Sequence, residues 1–214
     1  MNETTKIFAL FPQVVYTSTL NNISDKQLLK INNILKKQNI ENSGIKDYVV
    51  FEDNSHGSQS KKLLDNPQLE YLKDIFLNEF NVFKNEVLKL KKNDFIITTS
   101  WMAKVKPKKS SQFHNHHHCY YSGVFYTNTN ESSGNIIFEN FTSQKRFDVI
   151  PSDYNVYNSG SWRIKPENKM IIFFPSEMYH KIDKNNSNIT RYSIAFNLLP
   201  TGIIGEGDSA ITLR

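Results

Sequence analysis

After Lys92 the hydrophobic pattern changes from a helical period to short β-type runs, and this change constrains the fold more than any other feature. The runs lie at 94–106, 111–117, 121–128, 134–139, 145–150, 153–157, 160–164, 169–174, 178–183 and 189–198, separated by Gly, Pro, Asn, Asp and Ser. Many short strands at that spacing form a sandwich or a barrel. Aromatic residues make up 13% of the chain, with 15 Phe and 10 Tyr. Such side chains suit a pleated, half-buried surface and favour a β-rich core.

Before Lys92 the pattern is helical. Ser24 with Gln27 three positions later has the spacing of a capping box and opens a helix over 25–38. Leu28, Leu29, Ile31, Ile34 and Leu35 supply its apolar side. Asn66-Pro67 begins a second helix, because proline at the first helical position gives up no useful N–H. Its apolar face is Leu69, Leu72, Ile75, Phe76, Phe80, Phe83, Val87 and Leu88. Residues 7–16 read as an extended edge segment, since Pro12 cannot donate to a central ladder. Tyr48-Val49-Val50-Phe51 reads as a short strand within a polar, turn-rich stretch that also carries His56 in a solvent-facing loop. The expected architecture is mainly β with N-terminal helices packed on one sheet face. One domain spans 1–214, with a helical part over 1–93 and a β body over 94–200.

The bulk numbers exclude several classes. Hydrophobic residues are 38% of 214, so the chain is globular. Cys119 is the single cysteine, which rules out an internal disulfide and points to a reducing, cytoplasmic setting. No apolar run is long enough to span a bilayer, and the N-terminus has no signal-peptide pattern, so no membrane partner is expected. Net charge is +5, mostly scattered lysines on solvated surfaces, and nucleic acid is not the expected partner. Lys104, Lys106, Lys108 and Lys109 cluster just ahead of the histidines, which favours an anionic substrate. Association into homo-oligomers is left open.

Four of the six histidines fall in Gln112-Phe113-His114-Asn115-His116-His117-His118-Cys119. Strand side chains alternate between faces, so His114, His116 and His118 share one face and any H-x-H pair offers two neighbouring imidazoles. The third ligand comes from another strand. His180 is the natural candidate, because it follows the apolar run Met170-Ile171-Ile172-Phe173-Phe174 and a Pro-Ser turn. Imidazole suits iron, zinc, copper and nickel. The plainer alternative is a surface histidine cluster without a resident metal. Arg191 and Ser193 share a face of the last long run and point into the β body. A buried guanidinium needs a partner, and a carboxylate held in bidentate fashion with a serine hydroxyl assisting fits its fork. An internal Asp or Glu partner is the structural alternative. Trp101 and Trp162 read as packing residues. The glycines of 201–208 lack the lysine and the strand-to-helix context of a phosphate-binding loop.

Taken in order, His114-x-His116, Ser122-Gly123-Val124-Phe125-Tyr126, Gly134-Asn135-Ile136-Ile137-Phe138, Phe174-Pro175-Ser176 with His180, and Arg191-x-Ser193-x-x-Phe196-Asn197 resemble a known family. It is that of the 2-oxoglutarate- and Fe(II)-dependent oxygenases of marine bacteria and their phages. The resemblance runs over most of the chain, including Leu10-Phe11-Pro12 and Gly57-Ser58, and is strongest from 97 to 198. It implies a double-stranded β-helix (jelly roll) with iron at one open end. It implies Fe(II), 2-oxoglutarate and O2 as the reacting set, with succinate and carbon dioxide released as a substrate C–H bond is hydroxylated. Counting back from Ser122-Gly123, it selects His114 and His116 with His180 as metal ligands over the pair His116 and His118. It puts the distal carboxylate of 2-oxoglutarate on Arg191 and Ser193. Apart from the resemblance, buried phenols need a partner, which makes Tyr126 a candidate cosubstrate contact and puts Tyr121 around the site, with core packing as the alternative for either tyrosine, and His118 belongs around the site or its entrance. The sequence departs from the wider superfamily at His116, where that superfamily carries a carboxylate. Two other readings remain: a three-histidine cupin-type dioxygenase without cosubstrate, which would have little need for Arg191, and a non-catalytic jelly-roll binding module.

Overall fold

The computed structural model describes residues 4–37, 56–57, 62–90, 92–141 and 149–213. The strand expected at 48–51 lies outside them. In chain order the elements are β1 (Tyr16–Thr19), α1 (Asp25–Lys36), β2 (His56–Gly57), α2 (Tyr71–Phe83), β3 (Phe95–Val105), β4 (Tyr121–Asn128) and β5 (Ile136–Glu139). Then follow β6 (Ser161–Ile164), β7 (Met170–Pro175), β8 (Tyr179–Ile182), β9 (Arg191–Pro200), β10 (Gly202–Ile204) and β11 (Ile211–Leu213). A six-stranded sheet runs β1-β7-β4-β9-β3-β2, and a three-stranded sheet runs β6-β5-β8. Every pairing between these strands is antiparallel. The result is mostly β with two helices, the antiparallel double-stranded β-helix.

Alternation along β9 shows how the layers divide. Tyr192, Ile194, Phe196 and Leu198 join the cluster that holds Leu28, Ile31, Leu35, Leu72, Phe76, Phe80 and Phe83 of the two helices. Arg191, Ser193 and Ala195 take the opposite parity and line a cleft between the sheets. β9 is therefore covered on both faces, and eight of its ten residues are buried. The inner face of the smaller sheet contributes Ile136 and Phe138, which pack with Tyr126, Ile172 and Phe174 of the larger sheet. Gly123 sits directly across from Phe196, and a Cβ there would overlap the Phe196 ring. That ring stacks on Phe76 of α2 at 5.0 Å, so the glycine gives the helix layer its seat on the sheet.

α1 starts as its cap spacing predicts. The Gln27 N–H donates to Ser24 Oγ at 3.3 Å and Gln27 Oε1 accepts from the Ser24 N–H at 2.9 Å. The buried Asn32 donates to the Thr127 carbonyl at 2.7 Å and ties the helix to β4. Leu29, expected on the apolar side, faces solvent instead. The second helix begins later than Pro67. Asn66 Oδ1 accepts from the Gln68 N–H at 2.9 Å, a turn fills 67–70, and α2 follows. Past Phe83 the helix widens into a π turn over Lys84–Leu88. This brings the buried Lys84 ammonium to the Asn93 carbonyl at 2.8 Å, which satisfies a charge that burial would otherwise penalise.

Other expectations shift. The edge strand is at 16–19, not 7–16, and β2 puts backbone pairing where a loop was expected at His56. The N-terminal part thus supplies both edge strands of the large sheet as well as the helices. Residues 149–157 are not a strand. Tyr154, Val156 and Tyr157 are exposed around a turn held by Asn155 and Asn158. The stretch 111–117 carries one isolated bridge, His114 to His180, rather than a ladder. The tail folds into the β10–β11 hairpin. No helix among the described residues is long and apolar enough to cross a membrane.

Candidate metal centre

β8 delivers His180 and the segment beside it delivers the other two histidines. His114 and His180 exchange backbone hydrogen bonds at 3.0 and 2.9 Å, and the His116 N–H donates to the Ser176 carbonyl at 2.9 Å. The chain at 111–116 is therefore pinned along the free edge of β8, and the side chains at 114 and 116 turn the same way. One ligating atom from each of His114, His116 and His180 lies within 4.8 Å of the others, and no carboxylate among the described residues joins the group. Ring centres are 4.4 Å apart for His114–His180, 5.1 Å for His116–His180 and 5.2 Å for His114–His116.

Second contacts set the tautomers. His114 Nδ1 lies 3.0 Å from the Gln112 carbonyl, and His180 Nδ1 lies 2.9 Å from the Met178 carbonyl. A carbonyl only accepts, so both Nδ1 atoms carry the proton and both Nε2 atoms keep a lone pair for a metal. Burial, with the neighbouring His114 and His116, drives the His180 pKa down to about 3 against an opposing pull from the Met178 carbonyl. Burial, then His114 and His117, takes His116 to about 4. Both imidazoles are neutral at physiological pH, which is the ligating form.

The same cleft reaches Arg191. Its empty volume is about 600 Å3, solvent at the mouth included, and its lining includes Trp101, the three histidines, Ser122, Tyr126, Arg191 and Ser193. Arg191 is 1% exposed. Among the described residues its Nε and Nη1 have no hydrogen-bond partner, and neither does the equally buried Tyr126 hydroxyl. The guanidinium carbon lies 4.9 Å from the centre of the Tyr126 ring. Burial lowers the Arg191 pKa and raises that of Tyr126, and the attraction between the two groups partly offsets both shifts. Guanidinium stays charged throughout any ordinary pH range. Ser193 stands directly across the ladder from Tyr126. A buried cation, a phenol hydroxyl without a hydrogen-bond partner and a serine thus share one cleft with the three-imidazole cluster.

Several expected site residues lie elsewhere. Tyr121 has the opposite parity to Tyr126 and faces the helices, where it packs edge-on against Phe83 and beside Phe80. Burial, then Tyr120 and Glu177, pushes its hydroxyl up to about 12. His118 is exposed in a left-handed turn at φ 60°, with its ring toward His117 rather than the cleft. Cys119 Sγ donates to the His117 carbonyl at 3.4 Å and stays outside the group. The lysine run does not flank the histidines either. Lys104 lies over Tyr192 on the helix side, and 106–109 follow β3 beyond the Val105–Arg191 pair. Trp101, read as packing from the sequence, lines the cleft with its ring edge-on to His116 at 5.4 Å. Trp162 is exposed, in register with Phe138 and His180. Inward parity along β3, shared by Trp101 and Ala103, is the signal that marks Trp101.

Residues 99–197 match the family described as "Putative 2OG-Fe(II) oxygenase". The matched stretch, which carries the three histidines and Arg191, resembles that family. Solved oxygenases share its fold. One is a 2OG-Fe(II) oxygenase family oxidoreductase from Burkholderia pseudomallei, with TM-score 0.58 and 10% identity, over 86% of this chain and 84% of that one. A prolyl-4-hydroxylase from Pseudomonas putida matches at TM-score 0.55 and 12% identity, over 86% and 92%. HygX from Streptomyces hygroscopicus, solved with nickel and 2-oxoglutarate bound, matches at TM-score 0.57 and 8% identity, over 88% and 84%. No curated protein matches the sequence. The shared fold here carries its three-imidazole cluster in the cleft lined by both sheets.

Proposed function

We propose that the chain is an Fe(II)- and 2-oxoglutarate-dependent dioxygenase that hydroxylates its substrate and releases succinate and carbon dioxide. The observation that carries this reading is the pairing, in one cleft, of the histidine cluster with a buried Arg191 whose Nε and Nη1 are without partners and with the unpartnered Tyr126 hydroxyl. A metal site alone has no use for a desolvated guanidinium. A dicarboxylic cosubstrate does, because one end meets the metal and the other supplies the counter-charge.

His114, His116 and His180 would hold the iron, and three neutral donors leave its full +2 charge for a dianionic cosubstrate to neutralise. Bound iron supplies oxygen activation coupled to oxidative decarboxylation of the 2-oxo acid. Arg191 and Tyr126 would donate to the distal carboxylate, with Ser193 as a further donor, and fix the reach of the 2-oxo acid toward the histidines. The apolar walls at Val124, Ile136, Phe174 and Ile182 keep water from the cosubstrate chain. Trp101 stands at the His116 side of the cleft.

Aerobic incubation with Fe(II) and 2-oxoglutarate tests the reading. Succinate should form slowly even without a substrate and should be abolished by His180→Ala. Absence of succinate from an iron-loaded wild-type protein that also fails to bind 2-oxoglutarate would leave the non-catalytic binding module.

A further inference from the structure

A buried polar chain crosses the metal end of the large sheet. The Ser122 hydroxyl donates to Asn197 Oδ1 at 2.9 Å and lies 2.9 Å from Ser176 Oγ, while Asn197 Nδ2–H donates to Thr99 Oγ1 at 3.0 Å. Ser122 and Ser176 are fully buried. Ser122 has one hydroxyl proton, and Asn197 takes it, so Ser176 must donate to Ser122. The proton order is thereby set as Ser176 to Ser122 to Asn197 to Thr99, across residues from β7's end, β4, β9 and β3.

Ser176 is where this chain meets both arms of the histidine cluster. Its carbonyl accepts the His116 N–H at 2.9 Å, and its own N–H donates to the Tyr120 carbonyl at 3.2 Å. It also lies in the turn closed by the Met178 N–H to Pro175 carbonyl bond at 3.0 Å, and the Met178 carbonyl holds His180 Nδ1 at 2.9 Å. Side chain, carbonyl and N–H of one residue are all committed, so a shift at Ser176 displaces His116 directly and His180 through two residues.

We propose that Ser122, Asn197 and Ser176 are positioning residues that hold His116 and His180 in ligating geometry. The proposal rests on the reading of the three histidines as a metal site. Polar contacts behind metal ligands commonly alter affinity by roughly ten- to a hundredfold when removed.

Co(II) titration of the full chain under argon tests it, because the visible bands of Co(II) report ligand geometry apart from activity. Ser122→Ala removes the middle link and should weaken Co(II) by roughly ten- to a hundredfold, with shifted bands and an unchanged far-ultraviolet circular dichroism spectrum. Unchanged affinity and bands, with only a lower melting temperature, would show mere packing and overturn the proposal. Should Ser122→Ala not fold, the near-isosteric Thr99→Val removes the terminal acceptor. A smaller loss of affinity in the same direction then supports the chain, and none overturns it. If the wild type binds no Co(II), or His180→Ala binds it as well, the metal-site reading fails instead.

Discussion

Replacing Arg191 with methionine removes the charge while keeping a long, apolar side chain in the same buried slot. Two of the guanidinium donors, Nε and Nη1, lie unpaired in the cleft. A hydrogen bond to a charged group contributes about 1.5–3 kcal/mol, so two of them contribute about 3–6 kcal/mol. Desolvation of the ligand carboxylate takes the net toward the lower end, about 3 kcal/mol. At about 1.4 kcal/mol per decade the variant should bind 2-oxoglutarate roughly a hundredfold more weakly. Stability should move the other way. An unpaired buried cation is costly, and apolar replacement of buried charges can gain about 1–4 kcal/mol. Loss of the contact with the Tyr126 ring gives back about 1–2 kcal/mol. A net gain of about 1 kcal/mol corresponds to about 2–4 °C in a chain of this size. Calorimetric titration of the metal-loaded protein under argon, beside thermal melts of the ligand-free protein, reads both effects. Unaltered 2-oxoglutarate affinity in Arg191→Met would refute the reasoning. A large drop in melting temperature with unaltered affinity would identify the arginine as a structural cation.

Other expectations follow from the same geometry. Tyr126→Phe should weaken 2-oxoglutarate by about 1 kcal/mol, the net worth of one hydrogen bond, whereas Tyr121→Phe should leave affinity unchanged because it faces the helices; the reverse order in the same titration would contradict the assignment. His180 and His116 have folded pKa values of about 3 and about 4, below the unfolded 6.5, so the unfolded chain takes up protons first as pH falls. Their contribution to metal-free stability is present above pH 6.5 and is lost as pH falls, through about 4 for His116 and about 3 for His180. Urea midpoints at about pH 7.5 and about pH 5 should therefore fall less in the double variant His116→Gln/His180→Gln than in wild type, and equal falls would contradict this. Gly123→Ala should cost about 1–3 kcal/mol through overlap with the Phe196 ring, and Phe196→Leu should recover part of it in a denaturation series. No recovery would place the cost elsewhere.

What could be read from the sequence was whatever depends on side-chain period. Runs at 94–106, 121–128, 169–174 and 189–198 correspond to β3, β4, β7 and β9, because each alternates or fills a strand covered on both faces. Ser24 with Gln27 marked the start of α1 because its chemistry is local. Parity also separates Tyr121 from Tyr126, since an odd spacing on one strand puts them on opposite faces. Tyr121 is expected around the site only when that rule is left unapplied. The features that stayed hidden depend on the backbone or on distant partners. His118 leaves the cleft because of a left-handed turn, which a strand register over 111–117 does not anticipate. The apolar residues of 149–157 look like strand but find no sheet to cover them among the described residues. Ser176 gains its importance only when β4 and β9 bring Ser122 and Asn197 beside it. Lys104 to Lys109 are close to the histidines in sequence, yet they lie on the helix side or past the Arg191 end of β3.

The central claim is that the three histidines and Arg191 hold one metal and one 2-oxo acid together. Anaerobic addition of 2-oxoglutarate to the Fe(II)-loaded protein tests this most directly. Chelation of the iron should produce a weak visible charge-transfer band, absent in His180→Ala and displaced to much higher 2-oxoglutarate concentration in Arg191→Met. A protein that binds Fe(II) stoichiometrically yet shows no band at saturating 2-oxoglutarate would contradict the account.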